Sequence, residues 1–245
     1  MRSIFISFLI LIFSSHSYAL TGYSEDYMVQ FDLDTEMVRE WLPDRVTIDN
    51  DGPTHKVLIN FGLQRGVAYM PPYYEISVKV TGVRFRDADP EAAQRYQFYK
   101  VLYMNNWSAV KWGIALYDSP KKYADAVDEN GVLSFLDKDS GEPIFEAAYR
   151  QTATRRVDLD HPNVREFADN ISGPRMTYKK GRYKCWDTSA KNVELIPYEM
   201  DVTIHPEFFD NMELPHHQSF GAINESSFGT FMELSKWRFF KVSCD

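Results

Sequence analysis

The sequence is poor in cysteine, in basic residues and in long apolar runs. Its two cysteines, Cys185 and Cys244, lack the spacing of a metal-binding pair. The 27 lysines and arginines are outnumbered by 35 acidic residues, and the formal net charge is −8. Nucleic-acid binding is therefore disfavoured, because phosphate contacts need a basic face. Beyond the first 20 residues, no segment is long and apolar enough to cross a membrane as a helix.

Several familiar signatures are also missing. Ser226-Ser227 lacks the flanking glycines of a hydrolase nucleophile. The adjacent His216 and His217 have no carboxylate at metal-binding spacing, and surface positions explain them better than a metal site. No internal repeat, low-complexity tract or linker divides the chain. We therefore predict one domain with no metal.

The first 19 residues have the three parts of a secretory signal peptide. Arg2 supplies the positive start, Ile4 to Phe13 the apolar centre, and Ser17-Tyr18-Ala19 the small-residue cleavage site. We predict cleavage after Ala19, a mature domain over residues 20–245, and a secreted or periplasmic protein with no membrane association after cleavage. A retained N-terminal anchor is the alternative. After export Cys185 and Cys244 meet an oxidising compartment, where they form either a disulfide or two free thiols.

Short apolar or alternating runs separated by turn residues dominate the chain, and aromatic residues make up 15% of it. One short helix is predicted after Asp34, with Met37, Val38, Trp41 and Leu42 on its apolar face. This pattern predicts a mainly β protein with a few short helices (α+β), either barrel or sandwich. The predicted strands are Val57–Leu63, Glu75–Phe85, Tyr96–Met104, Val110–Leu116, Val132–Leu136, Ile144–Tyr149, Met176–Lys180, Arg182–Trp186, Val193–Ile204 and Trp237–Val242.

The run from Glu75 to Phe85 alternates most clearly. Ile76, Val78 and Val80 fall on one side of the predicted strand, whereas Glu75, Ser77 and Lys79 fall on the other. The apolar side is predicted to be buried. The side that carries Glu75 suits either a wet barrel interior or bulk solvent.

Two adjacent lysines follow a helix-start signal. Ser119 is a good N-cap and Pro120 a good first residue, so a short helix is predicted to run from here through Val127, with Lys121 in its first turn. A lysine amine attacks a ketone only when it is neutral, and its usual pKa is about 10.4. Burial, the helix N-terminus and the charge of Lys122 are three influences that lower a lysine pKa, and burial ranks first.

The Lys121 segment resembles the signature of the acetoacetate decarboxylase family: a Gly-Arg-Glu, then an aromatic residue followed by Pro-Lys-Lys. The resemblance continues at Tyr99–Asn106, at Tyr74-Glu75, where the family has a site glutamate, and at Asp201–His205, and it spans roughly the whole mature chain. It implies a cone-shaped antiparallel β-barrel that holds the lysine inside. That burial activates this lysine is inferred from that family, in which such activation is established.

The resemblance implies a chemistry and roles for named residues. Lys121 would form a Schiff base with a β-keto acid, the iminium would accept the electrons released with carbon dioxide, and no cofactor would be needed. Glu75 would position the iminium or shuttle a proton, and Lys122 would tune the lysine pKa. Asn60, Tyr74 and Tyr117 would line the pocket. The partner is a small-molecule keto acid, and the family commonly forms homo-oligomers.

The sequence departs from the family signature at several charged positions. Ile114 and Ala115 replace its Arg-Glu, and Ser119 replaces its aromatic residue. A second family glutamate aligns with Asn60, and a family arginine aligns near Ser24. These changes affect carboxylate binding more than Schiff-base formation. Two alternatives therefore stay open: a Schiff-base aldolase or dehydratase, and a non-catalytic barrel that binds a small apolar or carboxylated ligand.

Overall fold

The computed structural model describes residues 21–67, 70–117, 119–151, 173–191, 195–210, 223–242 and 244. The predicted signal peptide, Met1 to Ala19, lies outside these residues, as does the pair His216-His217. None of the helices described is long and apolar enough to span a membrane.

Thirteen strands and three short helices make up the described part of the chain. In chain order they are β1 (Thr21–Asp34), α1 (Thr35–Glu40), β2 (Val46–Ile48), β3 (Thr54–Arg65), β4 (Tyr73–Phe85), β5 (Tyr96–Met104), α2 (Trp107–Tyr117), β6 (Lys121–Tyr123), β7 (Asp125–Glu129), β8 (Val132–Leu136), β9 (Pro143–Gln151), β10 (Gly173–Lys179), β11 (Arg182–Lys191), β12 (Leu195–Ile204), α3 (Pro206–Asp210) and β13 (Ile223–Val242).

The strands form one sheet in the order β1-β3-β4-β5-β10-β11-β13-β12-β9-β8-β7, with β2 paired to β4 and β6 paired to β5. Strand β1 also pairs with β13. Two of the described pairings, β5 with β10 and β5 with β6, are parallel, and the others are antiparallel. The predicted mainly β architecture with a few short helices is confirmed. The cone-shaped barrel stays a prediction.

The strands around β4 are buried on both faces. Ile76, Val78 and Val80 join the large apolar core as predicted, together with Phe61 of β3 and Phe145 of β9. On the opposite face Ser77 is 2% exposed and Lys79 is 4% exposed. A smaller apolar cluster covers that face with side chains of β5, β11 and α2: Tyr99, Leu102, Met104, Ala109, Val110 and Trp186, together with Val67 and Tyr73.

Helix α1 follows the predicted pattern. The side chain of Asp34 caps it by accepting a hydrogen bond from the Met37 backbone N–H at 3.0 Å. Val38, Trp41 and Leu42 are buried in the main core. Tight turns at Asn130-Gly131, between β7 and β8, and at Lys180-Gly181, between β10 and β11, have left-handed φ angles at both residues.

Two predictions around the lysine pair are wrong. The predicted strand Val110–Leu116 is part of helix α2, because the Asn106 side chain caps it by accepting from the backbone N–H groups of Ser108 and Ala109 at 2.9 and 3.1 Å. The predicted helix from Pro120 to Val127 is instead strands β6 and β7. The Pro120 carbonyl accepts from the Leu102 N–H at 3.1 Å, which starts the pairing of β6 with β5.

A bulge interrupts the pairing of β4 with β5. Val78 pairs with Val101, but Lys79 pairs with Tyr99, so Lys100 is an extra residue on β5. Tyr103 and Val101 face the main core, as does Phe98, whereas Tyr99 faces the smaller cluster with Leu102 and Met104. The bulge therefore changes which residues of β5 share a face with Lys79.

The two cysteines are joined. A disulfide links Cys185 of β11 to Cys244, just after the end of β13, with their Cα atoms 5.3 Å apart. It closes a loop with a sequence separation of 59 residues. Cys185 packs in the main core next to Met176 of the paired strand β10.

We expect this disulfide to contribute substantially to stability. Closing a loop of this length restricts the unfolded chain, and the entropy model gives roughly 4 kcal/mol. Cys244→Ser should therefore lower the denaturant midpoint by a corresponding amount, and dithiothreitol should lower the wild-type midpoint similarly. The variant should not respond to the reductant. A wild-type midpoint that does not change under full reduction would contradict this prediction.

Candidate active site

Polar side chains gather on one face of the strands from β1 to β11. Strand pairing aligns Asp26 with Gly62, Gly62 with Glu75, and Glu75 with Met104, and it sets Lys121 opposite Leu102. We call this set the polar face. It comprises Ser24, Asp26, Asn60, Gln64, Glu75, Ser77, Lys79, Gln97, Lys121, Arg175, Thr177 and Thr188.

Lys121 lies under helix α2. Its Nζ donates a hydrogen bond to the Ala109 carbonyl at 3.5 Å, and its side chain packs directly against Gly113. A Cβ at Gly113 would lie 2.6 Å from Nζ and closer still to Cδ and Cε. Gly113 is therefore the position that lets the helix cross the lysine side chain.

Burial lowers the pKa of Lys121, and the negative charge of Glu75 acts in the opposite direction. The predicted ranking, with burial first, agrees with this balance. The predicted contribution of a helix N-terminus is wrong, because Lys121 lies on a strand. A lysine with a lowered pKa is neutral more often near pH 7, and the neutral form is the nucleophile.

Lys122 follows Lys121 in β6, so its side chain leaves the strand on the opposite side. It pairs with Tyr103, whose side chain belongs to the main core, and it lines a cleft of about 350 Å³ between α2, β6 and the turn after β8. Lys121, Ile144 and Asp137 also line this cleft. The tuning of Lys121 by Lys122 stays a prediction.

Glu75 shares the polar face with Lys121, and its predicted role in positioning the iminium or moving a proton stays a prediction. Burial raises the pKa of Glu75, while the positive charges of Lys121 and Lys79 lower it. Burial is the largest of these influences, so the pKa of Glu75 lies above the usual value for a glutamate. A carboxyl with a raised pKa is a candidate proton donor.

The three predicted pocket residues have different outcomes. Asn60 lies on the polar face opposite Ser77, is 8% exposed, and its buried Oδ1 makes no hydrogen bond with the described residues. Tyr74 lies on the other face of β4, where its hydroxyl donates to Asp128 at 2.9 Å, so its predicted pocket position is wrong. Tyr117 is the last residue of α2, and its side chain lies outside the described part of the chain.

Asp26 is a site residue that sequence reasoning missed. Its Oδ1 accepts a hydrogen bond from Gln64 Nε2 at 2.8 Å. Burial and, to a smaller extent, the charge of Glu75 raise the pKa of Asp26 to about 7, although Lys79 and the hydrogen bonds from Ser24 and Gln64 act in the opposite direction. Ser24 and Asp26 alternate with Glu25 along β1, but nothing in that stretch identifies which side faces the lysine.

Two buried cations, Lys79 and Arg175, contact Tyr99. Lys79 Nζ lies 4.9 Å from the centre of the Tyr99 ring, and Arg175 hydrogen-bonds to Tyr99. The Trp186 ring contacts Tyr99 at a centroid distance of 5.6 Å. Burial lowers the pKa of Lys79 to about 7, helped by the charge of Arg175 and opposed by Asp26 and Glu75. The alternation of β4 pointed to Lys79, whereas Arg175 carried no sequence signal.

The described residues contain no group of three or more histidine, cysteine or acidic side chains that could hold a metal ion. Among the amines and carboxyls of the polar face, the partly buried Lys121 amine with the Glu75 carboxyl is the pair suited to attack on a carbonyl carbon.

The contact of Gly113 with Lys121 can be tested by a double-mutant cycle. Gly113→Ala should destabilise the protein by about 1–3 kcal/mol, because the added methyl group collides with the lysine side chain. In a Lys121→Ala background the same change should be neutral or stabilising by up to about 1 kcal/mol, since alanine favours helix. Denaturant unfolding of the four proteins measures the coupling. Equal effects of Gly113→Ala in both backgrounds would contradict the packing described.

The influence of Glu75 on Lys121 can be tested through the reactivity of the amine. The Glu75 carboxylate raises the pKa of Lys121, so Glu75→Gln should lower that pKa and move the pH profile of Lys121 acylation to lower pH. Peptide mapping after timed exposure to an acylating reagent gives the profile. Glu129→Gln, at an exposed position of β7, is the control and should leave the profile in place.

Comparison with known proteins identifies the fold. No protein-family model matches the sequence, and no curated protein matches it. Among solved structures, acetoacetate decarboxylase from Legionella pneumophila is 13% identical with a TM-score of 0.62, covering 94% of this chain and 90% of that one. An acetoacetate decarboxylase-like enzyme from Sphingomonas wittichii RW1 is 10% identical with a TM-score of 0.56, covering 94% and 95%.

A third neighbour is the enduracididine biosynthesis enzyme MppR, in a complex with the condensation product of pyruvate and imidazole 4-carboxaldehyde. It is 12% identical with a TM-score of 0.60, and the match covers 94% of this chain and 91% of that one. At such identities the likeness concerns the fold and does not extend to the reaction. The chain shares the fold of these acetoacetate decarboxylase and acetoacetate decarboxylase-like structures, in agreement with the resemblance seen in its sequence.

Proposed function

We propose that this protein is a Schiff-base-forming lyase that decarboxylates a β-keto acid through an iminium on Lys121. The observation that carries the proposal is the position of the Lys121 amine: it lies beneath α2, its pKa is lowered by burial, and a carboxyl that responds to its charge shares its face. The fold supports the proposal, because an acetoacetate decarboxylase is among its solved structural neighbours.

The first step would be attack of the neutral Lys121 amine on the ketone carbon. The carbinolamine formed would lose water and leave a cationic iminium. The Glu75 carboxyl is the candidate for moving the protons that this step requires, because its own pKa responds to the charge of Lys121. Its ionised form would also stabilise the iminium.

The second step would be loss of carbon dioxide. The carbon–carbon bond breaks, its electron pair moves toward the iminium nitrogen, and a neutral enamine results. Charge disappears in this step, so an apolar environment favours it. Leu102, Met104 and Val110 provide apolar surface beside the lysine. Protonation of the enamine and hydrolysis of the new iminium would then release the ketone.

The polar face offers cations for a substrate carboxylate. The family arginine and glutamate of the signature are absent here, where Ile114 and Ala115 stand in α2. Lys79 and Arg175 are buried on the polar face and would attract an anionic substrate toward it. A keto acid with a larger apolar part than acetoacetate is consistent with the apolar cluster.

Two other functions have support of their own. The MppR neighbour holds a condensation product of pyruvate and an aldehyde, which favours an aldol-type reaction of the same lysine as the second candidate. A non-catalytic protein that binds a small apolar or carboxylated ligand is the third, because the charged pair of the family signature is missing.

The proposal extends to location and assembly. We propose that Met1–Ala19 is removed and that residues 20–245 act in an oxidising, secreted or periplasmic setting, which the Cys185–Cys244 disulfide supports. The pairing of β1 with both β3 and β13 supports a barrel around the polar face. Association into a homo-oligomer is part of the proposal by resemblance alone.

Borohydride trapping tests the proposal directly. The purified protein is incubated with acetoacetate, a longer-chain β-keto acid or pyruvate, reduced, and mapped by mass spectrometry. We expect a stable adduct on Lys121 with at least one compound, together with carbon dioxide release from a β-keto acid. Lys121→Ala should abolish both, and general-base and nucleophile losses of this kind are about 100-fold or larger.

Matched lysine variants give the controls. Lys111→Met, on the exposed side of α2, should leave trapping and turnover unchanged. Lys79→Met separates the two buried amines, because an adduct on Lys79 instead of Lys121 would overturn the assignment. Trapping of pyruvate without carbon dioxide release from any β-keto acid would favour the aldol-type reaction. No adduct with any compound would favour the ligand-binding protein.

A further inference from the structure

We propose that Asp26 and Glu75 form a carboxyl pair that holds the proton delivered to the enamine carbon. This inference rests on the proposed function. Nothing in the sequence resemblance assigns a role to Asp26, and the family's second glutamate aligns with Asn60. The structure supplies a second carboxyl to the site from a different strand.

Gly62 has no side chain and so leaves room for the Asp26 carboxyl on the face of the sheet that carries Glu75. It lies between Asp26 on β1 and Glu75 on β4 in the register of three neighbouring strands. A Cβ at Gly62 would lie 2.9 Å from Asp26 Oδ1 and would also collide with the β1 backbone. The Asp26 carboxyl therefore occupies the place over Gly62 that a side chain would fill, on the side of the sheet where Glu75 stands.

The groups around Asp26 support a shared proton. Gln64 of β3 holds Oδ1, and Ser24 of β1 also hydrogen-bonds the carboxyl. From β4, Glu75 and Lys79 act on it with opposite charges. Two carboxyls that repel each other in a desolvated site retain a proton between them. Lys79 acts against this at both carboxyls and Lys121 at Glu75, but burial is the largest influence on each.

The position of the pair fits the step that follows loss of carbon dioxide. The enamine carbon that carried the carboxylate needs one proton, and its electron pair forms the new C–H bond while the iminium returns. The carboxyl pair gives up this proton and becomes more negative. It then takes a proton from water, which matches the one proton that decarboxylation of a keto-acid anion consumes. The pair thus regenerates for the next turnover.

Hydrogen exchange isolates this step from decarboxylation. A ketone bound as an iminium on Lys121 loses a proton to the pair, forms the enamine, and regains a deuteron in D2O. The probe is acetone, or pyruvate if pyruvate alone gives a Lys121 adduct. Wild-type protein should catalyse deuterium uptake into the methyl group, followed by NMR, and Lys121→Ala should not.

Asp26→Asn is the decisive variant because it keeps the size of the side chain and an acceptor for Gln64. We expect borohydride trapping on Lys121 to stay within about threefold of wild type, whereas exchange falls by roughly 100-fold, the usual contribution of an acid–base group. Asp26→Glu should recover part of the exchange. Glu25→Gln is the matched control: Glu25 is the next residue on β1, its carboxylate pairs with Arg65 at 3.3 Å, and both readouts should be unchanged.

The outcomes distinguish this inference from the proposed function. Absence of any wild-type adduct would overturn the proposed function and the inference with it. Normal trapping with wild-type exchange in Asp26→Asn would overturn the inference alone, and so would equal loss of trapping and exchange in a folded variant. If Asp26→Asn does not fold, Gln64→Leu tests the same site: reduced exchange with trapping retained supports the pair, and unchanged exchange overturns it.

Discussion

The site depends on ionisable side chains being buried between two layers of protein. A charge that leaves water becomes unfavourable unless an opposite charge or a hydrogen bond compensates it. Here the polar face balances cations against carboxyls, and the compensation is incomplete. Lys79 and Asp26 consequently have pKa values of about 7, and Lys121 is lowered from its usual value. Groups in this condition exchange protons readily near neutral pH, which is the property that imine chemistry requires.

Helix α2 provides the burial at Lys121. The helix is capped by Asn106, passes over the lysine at Gly113, and offers the Ala109 carbonyl to the amine. The position of the amine is thus set by packing and by a backbone acceptor. An amine held in this way keeps its lone pair accessible when neutral, whereas a tight salt bridge would favour the ammonium form.

Much of the fold could be predicted from the sequence, because alternation and turn residues are local signals. The apolar side of β4, the capped helix α1 and the hairpin turns at Asn130-Gly131 follow from them. The local signals failed at α2 and β6, where Ser119-Pro120 resembles a helix start. The buried positions Ala109, Val110 and Gly113 have helical spacing that would have identified α2. Asp26 and Arg175 could not be predicted, since their meeting depends on pairings between strands far apart in the chain.

The bulge at Lys100 has a consequence for comparing this protein with its distant relatives. The extra residue reverses which side chains of β5 face the main core in the part of the strand that precedes it. In a regular strand, Gln97 and Tyr99 would both face the main core. An alignment that matches relatives by hydrophobic pattern across β5 would place core residues of one protein against site residues of another. At 10% to 14% identity, equivalent positions must therefore be assigned from superposed backbones on each side of Lys100 separately.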